Sequence, residues 1–160
     1  MTRKAGESMQ PFERKLNEML VEVYHNILRV EEEFLRNNHR LNLTIREMHL
    51  IECVGSDREN GKTISEIADY LKVAKPSATV AVSKLEKKGY LQKSGCESDG
   101  RVVRVTLTRE GRKVFLYHER YHAEMVRELK DEFTEEERDI LMRAIDKLNK
   151  FFEKSAGAEK

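Results

Sequence analysis

The apolar positions of the first forty residues recur with the period of an α-helix. They follow one another at steps of three or four residues: Phe12, Leu16, Met19, Val23, Ile27, Val30 and Phe34. This spacing places them on one face of a long helix, and Pro11 suits its first turn. The pattern predicts an amphipathic helix that packs against another apolar surface along its length.

Two Thr-x-x-Glu sequences predict the starts of the next helices. In such a capping box the threonine side chain accepts a hydrogen bond from the backbone three residues later, and the glutamate side chain reaches back. Thr44 with Glu47 predicts a helix up to about Val54, and Thr63 with Glu66 predicts a short helix.

The short helix is followed by a second one after a tight turn. The turn falls at about residues 73–75, and the next helix is predicted from Pro76 to Lys88, with Gly89 as its stop signal. A polar, glycine-flanked stretch at 55–62 predicts a loop before the pair. Two short helices joined by a tight turn form a helix-turn-helix arrangement.

After Gly89 the period changes from helical to alternating. Tyr90–Ser94 is one strand candidate, and Val102–Leu107 is a second, with apolar and polar residues alternating. The polar segment Gly95–Arg101 lies between them. The sequence therefore predicts a β-hairpin with a charged tip, which follows the helix-turn-helix directly along the chain.

The C-terminal third returns to the helical period. Thr108 opens a long helix with an apolar stripe at Val114, Tyr117, Tyr121, Met125, Leu129 and Phe133. Thr134 with Glu137 is a third capping box and opens a last helix, before a frayed tail expected at 155–160. The terminal helices carry more apolar surface than one subunit can cover, which predicts pairing with a second copy.

Composition narrows the class of protein. The chain has 160 residues, of which 39% are hydrophobic and 37% charged, consistent with one helix-rich domain. No apolar run approaches the ~18 residues of a membrane span, and no secretory signal is visible. Cys53, an expected core residue, and Cys96, on the hairpin tip, do not form a disulfide framework. We therefore expect a cytoplasmic protein.

The charge is unevenly distributed. The formal net charge is +1, but residues 62–104 alone carry nine basic and five acidic groups. A basic middle between near-neutral helical arms favours a segment that faces a polyanion, although an excess of four charges is also compatible with ordinary surface scatter.

Five segments of the sequence, taken together with the intervals between them, resemble the MarR family of winged helix-turn-helix regulators. They are Thr63-Ile-Ser-Glu-Ile-Ala, Pro76-Ser-Ala-Thr-Val, Leu85-Glu-Lys-Lys-Gly-Tyr-Leu, Ser98-Asp-Gly-Arg-Val and Leu107-Thr-Arg-Glu-Gly. The resemblance implies one MarR-like domain over residues 1–160, mainly α with a small β-hairpin wing (α+β). Residues 44–107 would form the DNA-binding lobe, and residues 11–40 and 108–154 the dimerisation helices. A transcription regulator rather than an enzyme is implied.

The resemblance also implies how DNA is held. A homodimer would place one recognition helix per subunit in the major groove of a pseudo-palindromic operator. The residues expected at DNA on that helix are Lys75, Ser77, Ala78, Thr79, Ser83 and Lys84. On the wing, Asp99 would orient Arg101 toward the minor groove, and Lys93 and Arg104 would contact phosphates. Plain packing and solvation remain the alternative for these helices.

Two further segments resemble the fatty-acid-biosynthesis repressor subgroup of Gram-positive bacteria: Ile45-Arg-Glu-Met-His-Leu-Ile and Leu116-Tyr-His-Glu-Arg-Tyr-His-Ala-Glu-Met-Val. In that subgroup long-chain acyl-acyl carrier protein is a co-repressor. The expected effector pocket consists of Val23, Ile27, Met48, His49, Leu50, Phe115, His118, Tyr121 and His122, each of which also suits a plain core. Arg36, Arg40 and Arg46 are candidate contacts for the acidic carrier or simply a solvated face.

The histidines leave two further hypotheses open. Zinc-responsive MarR proteins are similar in carrying ligands at positions matching His49, His118 and His122, and Glu31 would supply an oxygen to a tetrahedral site. His118 to His122 also match H-E-x-x-H, the sequence of zinc hydrolases. The hydrolase is the remote alternative, since no substrate cleft is evident from the sequence.

Overall fold

The computed structural model describes residues 9–38, 41–96 and 99–157, and gives the backbone alone for residues 96, 99–102, 156 and 157. The elements in chain order are α1 Pro11–Asn37, α2 Ile45–Gly55, β1 Lys62–Thr63, α3 Ile64–Leu71, α4 Lys75–Lys87, β2 Leu91–Cys96, β3 Asp99–Leu107, α5 Arg109–Asp131 and α6 Glu135–Gly157. The chain forms two compact units, Met1–Phe115 and Leu116–Lys160. Within the described ranges no helix combines the length and apolarity needed to cross a bilayer.

The three Thr-x-x-Glu sequences begin helices as predicted. Each glutamate accepts a hydrogen bond from the backbone N–H of its threonine, at 2.9 Å for Thr44, 2.6 Å for Thr63 and 2.8 Å for Thr134. Each threonine hydroxyl in turn accepts the backbone N–H of the glutamate. These reciprocal bonds satisfy N–H groups that a helix start otherwise leaves unpaired.

The small sheet is larger than the sequence predicted. Its order is β1-β3-β2, fully antiparallel, with Lys62 opposite Val105 and Leu91 opposite Leu107. The edge strand β1 was expected to be loop. Gly61 makes it possible, because it adopts a φ of 66° and a Cβ there would lie 2.3 Å from the carbonyl oxygen of Val105.

The predicted boundaries near the hairpin tip and the C-terminus are wrong. The strands continue to Cys96 and resume at Asp99, so the expected loop at 95–101 is mostly strand. Likewise α6 extends to Gly157, where a frayed tail was expected from residue 155. In both places the backbone hydrogen bonding continues through residues without a hydrophobic period, so the sequence pattern does not register it.

The core of the first unit lies between α2, α3, α4 and the sheet. Its fully buried side chains include Met48, Leu50, Ile51, Val54, Ile67, Val82, Leu85, Leu91 and Val105. Cys53 is buried there as predicted, and burial raises the pKa of its thiol to about 11. This core fixes α4 to the sheet behind it.

The apolar stripe of α1 has a different environment. Of its seven predicted members only Phe34, near the C-terminal end, is buried. The other six are between 37% and 76% exposed. The helix forms as predicted, but most of its apolar face is exposed.

Candidate nucleic-acid interface

The helix-turn-helix consists of α3, a tight turn and α4. Lys72 ends α3 in the left-handed conformation, with a φ of 54°. The backbone N–H of Val73 donates to the carbonyl of Ala68 and closes the turn. Ala74 is the N-cap of α4, so the helix begins at Lys75, one residue before the predicted Pro76. Gly89 follows it with a φ of 80°, as its role of stop signal requires.

The buried residues of α4 show which side of the helix faces the core and which side faces outward. Ala78, Val82 and Leu85 are all fully buried. The predicted DNA contact at Ala78 is therefore wrong, because its methyl group belongs to the core. Small size at this position allows close packing of the helix against its neighbours.

The opposite face of α4 is open. Lys75, Ser77, Thr79 and Lys84 are exposed, as residues that meet DNA must be. The hydroxyl of Thr79 donates to the carbonyl of Lys75 at 3.0 Å. Its methyl group then remains the outward-facing part of the side chain. Four of the six residues expected at DNA on this helix thus share an accessible surface.

One exposed residue of α4 escaped the sequence analysis. Val80 is 70% exposed. It lies two positions from both Ala78 and Val82, so helical geometry places it on the side opposite the core. That spacing is the signal that could have identified Val80, although valine is by type more often a buried residue than an exposed one.

A buried carboxylate organises the C-terminal half of α4. Glu47 of α2 lies with its Oε1 3.1 Å from the Nζ of Lys84 and its Oε2 2.9 Å from the Nζ of Lys88. Burial alone raises the pKa of Glu47, but the hydrogen bonds from the Thr44 N–H, Lys88 and Lys84 outweigh it and lower the pKa to about 2. Lys84 is thus partly neutralised before any phosphate approaches.

The same end of α4 also holds the connection between α1 and α2. Lys88 Nζ donates to the carbonyl of Asn42 at 2.7 Å, and the Tyr90 hydroxyl donates to the carbonyl of Leu41 at 2.6 Å. Asn42 has a φ of 43°, a turn conformation that asparagine tolerates. A movement of this connection would therefore be transmitted to the recognition helix.

Lys93 and Arg104, the phosphate contacts predicted on the wing, also form hydrogen bonds within the protein. Lys93 Nζ on β2 donates to Glu86 Oε2 at 2.8 Å and to Ser83 Oγ at 2.9 Å. Arg104 on β3 is half-buried and donates to the carbonyl of Gly61 at 3.4 Å. The sequence analysis predicted DNA contacts at Ser83, Lys93 and Arg104 but not these intramolecular hydrogen bonds, which join residues of different elements.

Asp99 and Arg101 lie on β3, where the hairpin returns. The backbone places them two residues apart at the distal end of the strand. The pairing of their side chains stays a prediction. Glu97 and Ser98, between the two strands, lie outside the described residues.

The expected effector-pocket residues of the first unit fall into two environments. Met48 and Leu50 are buried in the core and Phe115 is also buried, whereas Val23 and Ile27 are more than half exposed on α1. The apolar period did not distinguish these environments, because it gives the face of a helix but not what covers that face.

Two adjoining cavities of the first unit lie away from the expected effector pocket. One of about 550 Å³ is lined by Glu32, Leu35, Arg36, Leu43, Thr44, Ile45 and Arg46. The other, of about 400 Å³, is lined by Leu35, Arg36, Asn42, Leu43, Thr44, Lys84 and Lys88. Neither contains a predicted pocket residue. Two of the predicted carrier contacts, Arg36 and Arg46, do line the larger one, and Arg40 lies outside the described residues.

The histidines form one local arrangement in each unit. In the first, His49 Nε2 on α2 lies 3.3 Å from Glu31 Oε2 on α1. In the second, the rings of His118 and His122 have their centroids 4.4 Å apart and stand nearly perpendicular. His118 is buried, and the ring of Tyr121 lies 6.0 Å from its own. Each pair offers nitrogen or oxygen atoms of the kind zinc binds.

Comparison with known proteins identifies the family. The MarR family model matches residues 43–103, which span α2, the helix-turn-helix and the hairpin. A crystal structure of Streptococcus pneumoniae FabT in complex with DNA is 33% identical, with a TM-score of 0.83, and covers 88% of this chain and 97% of that one. The chain belongs to the MarR family. It is accordingly a DNA-binding, winged-helix transcription regulator.

More distant MarR-family structures share the fold alone. A MarR protein from Peptoclostridium difficile is 19% identical, with a TM-score of 0.75, over 99% of this chain and 100% of that one. Staphylococcus aureus MepR bound to DNA is 19% identical, with a TM-score of 0.71, over 84% and 96%. No match was found among curated protein sequences. The H-E-x-x-H interpretation is not tested by these comparisons and stays a remote alternative.

Proposed function

We propose that this MarR-family protein is a homodimeric repressor of fatty-acid-biosynthesis genes, with long-chain acyl-acyl carrier protein as its co-repressor. The observation that carries the proposal is the similarity to FabT, which extends over nearly the whole chain at 33% identity. The two segments that resemble the fatty-acid repressor subgroup lie on α2 and α5. The similarity therefore includes parts of the chain outside the helix-turn-helix.

Exposed apolar surface supports the homodimer. The stripe of α1 is open over most of its length, and on α6 the exposed residues include Ile140, Met142, Ile145, Phe151 and Phe152. A helix face with this many exposed large apolar side chains is typical of an interaction site. A twofold dimer would place two recognition helices about 34 Å apart, one turn of DNA, and so match a pseudo-palindromic operator.

The larger cavity supports an acidic effector. Its lining combines the apolar Leu35, Leu43 and Ile45 with two arginines, Arg36 and Arg46, against one acidic residue, Glu32. Opposite charge would attract an acidic carrier protein to this rim. A partner bound here would contact the α1–α2 connection, which is hydrogen-bonded to Lys88 and Tyr90 at the end of α4. The effector would then change operator affinity by favouring one position of α4.

The test is an operator-binding titration with the full-length protein. Fluorescence anisotropy would follow a labelled promoter duplex of a fatty-acid-biosynthesis gene, with long-chain acyl-acyl carrier protein or the same carrier without its acyl chain. We expect the acylated carrier to raise the affinity about tenfold. The double variant Arg36→Ala/Arg46→Ala should lose this response, and Arg14→Ala, on exposed α1, should keep it. No difference between the two carriers would contradict the proposal.

Zinc is the second candidate effector. His49 Nε2 and Glu31 Oε2 lie 3.3 Å apart, and two ligands on tetrahedral zinc with bonds of about 2.0–2.1 Å lie at a similar distance. A direct hydrogen bond between the two side chains fits that distance equally well. Titration of the dimer with zinc against a competing chelator separates the two. Tight zinc binding that is lost in His49→Ala favours the metal, and weak binding in both favours the hydrogen bond.

A further inference from the structure

Val80 lies at the centre of the open face of α4. Residues three or four positions away share its face, and these are Pro76, Ser77, Ser83 and Lys84. Pro76, Ser77 and Lys84 are exposed and Ser83 is half-buried. The isopropyl group is therefore an apolar point within a polar surface.

The fold gives no reason for a valine at this position. Its side chain is 70% exposed, so it contributes little to the core. A β-branched residue is also a poorer helix former than alanine. A lone exposed apolar side chain is ordinary on a general surface, but this one occupies the middle of the face that a recognition helix turns toward DNA.

We propose that Val80 contacts the C5-methyl group of a thymine and thereby selects thymine at one position of each half-site. An isopropyl group has no donor for a phosphate or for a base acceptor. In the major groove the apolar group available to it is the methyl of thymine. The proposal rests on the proposed function, since it requires α4 to enter the major groove of an operator.

The experiment removes the methyl group from the DNA and the isopropyl group from the protein. An operator is first selected from random duplexes by the full-length protein. Each thymine of a half-site is then replaced by deoxyuridine, which lacks only the methyl group, and affinity is measured for the wild type and for Val80→Ala. Val21→Ala is the matched control, because Val21 is an exposed valine of α1 that lies outside the apolar stripe.

One thymine per half-site should account for the effect. We expect its replacement to weaken wild-type binding about fourfold, the effect of one buried methyl group. Val80→Ala should lose this sensitivity, and Val21→Ala should keep it. An equal penalty at every thymine in the wild type and in Val80→Ala would overturn the inference while leaving the proposed function intact. If the wild type selects no sequence, both fail.

Discussion

α1 and α4 are both amphipathic helices, yet their apolar faces lie in opposite environments. The inward residues of α4 are fully buried against the rest of the first unit, whereas six of the seven stripe residues of α1 are exposed. The sequence predicts both helices, α1 by its hydrophobic period and α4 by the turn before Pro76 and the stop at Gly89. It does not distinguish a face that the chain covers itself from a face that another molecule must cover.

The polar sides of the two helices differ as well. On α4 the N-terminal half is open, while Lys84 and Lys88 in the C-terminal half are held by Glu47. The recognition helix is therefore positioned by its core on one side and by a buried carboxylate at its end. On α1, the His49–Glu31 pair and the hydrogen bonds around Asn38 lie toward the C-terminal end. The comparison predicts that α1 acts through assembly and α4 through contact with DNA.

The largest effect is expected from a charge in the α1 stripe. Ile27→Glu should prevent dimerisation, because a carboxylate at an apolar interface remains unpaired. Operator affinity should fall about 100-fold or more, since a monomer engages one half-site only. Sedimentation velocity and anisotropy measure both effects. Arg14→Glu, on the polar side of α1, is the control. A monomeric Ile27→Glu with wild-type affinity would refute the role of α1.

Removal of the buried carboxylate should have the next largest effect. Glu47→Gln leaves Lys84 and Lys88 without their anion, and the lowered pKa corresponds to about 3 kcal/mol of the free energy of unfolding at neutral pH. Because the pKa is about 2 in the folded protein and 4.5 ordinarily, this contribution is complete above about pH 4.5. It is lost as the pH falls toward 2.

Glu66→Gln is the matched control for this prediction. Glu66 has the position in the capping box of Thr63 that Glu47 has in the box of Thr44, but Glu66 is exposed. Urea unfolding at a series of pH values should show a large, pH-dependent loss for Glu47→Gln and a much smaller one for Glu66→Gln. Equal losses would show that the cap, and not the lysine pair, accounts for the effect.

The wing should contribute less than the dimer. Arg101→Ala is expected to weaken operator binding about tenfold, because a minor-groove arginine is lost. It should also lower the slope of log affinity against log salt. Asp99→Ala should reproduce part of the loss if it orients Arg101. Affinity equal to that of the wild type on the selected operator would rule out the wing contact.

The smallest expected effect is a difference between two lysines of α4 in the salt dependence of DNA binding. Lys75→Ala should lower the salt slope by about 0.9, the value for one phosphate contact. Lys84→Ala should change the slope less, because Glu47 already neutralises part of its charge. Titrations at several salt concentrations test the difference. Equal slopes for the two variants would show that Lys84 leaves Glu47 when DNA is bound.

Local signals in the sequence were enough for the helices and the family. The three capping boxes, the stop at Gly89 and the hairpin all correspond to elements of the structure. Strand β1 was missed because two polar residues carry no period, and its pairing depends on Gly61 lying close to Val105. Short strands form through tertiary contacts, which a local pattern does not contain.

The candidate site was predicted less completely than the fold. The sequence analysis predicted a DNA contact at Ala78 and none at Val80. In the structure Ala78 is buried and Val80 is exposed, so Val80 is the residue that DNA can reach. Lys84 and Lys93 were identified as cations, but their partners lie on other elements, Glu47 on α2 and Glu86 on α4. A sequence shows which charges exist, and the fold decides which of them remain available to DNA.

The most direct test of the central claim is the salt dependence of sequence-specific DNA binding by the full-length protein. Affinity would be measured from low to physiological salt for the duplex it selects and for a scrambled duplex of equal composition. The account predicts tighter binding to the selected duplex, with log affinity falling linearly as log salt rises. Equal affinity for both duplexes, or no binding at low salt, would contradict it.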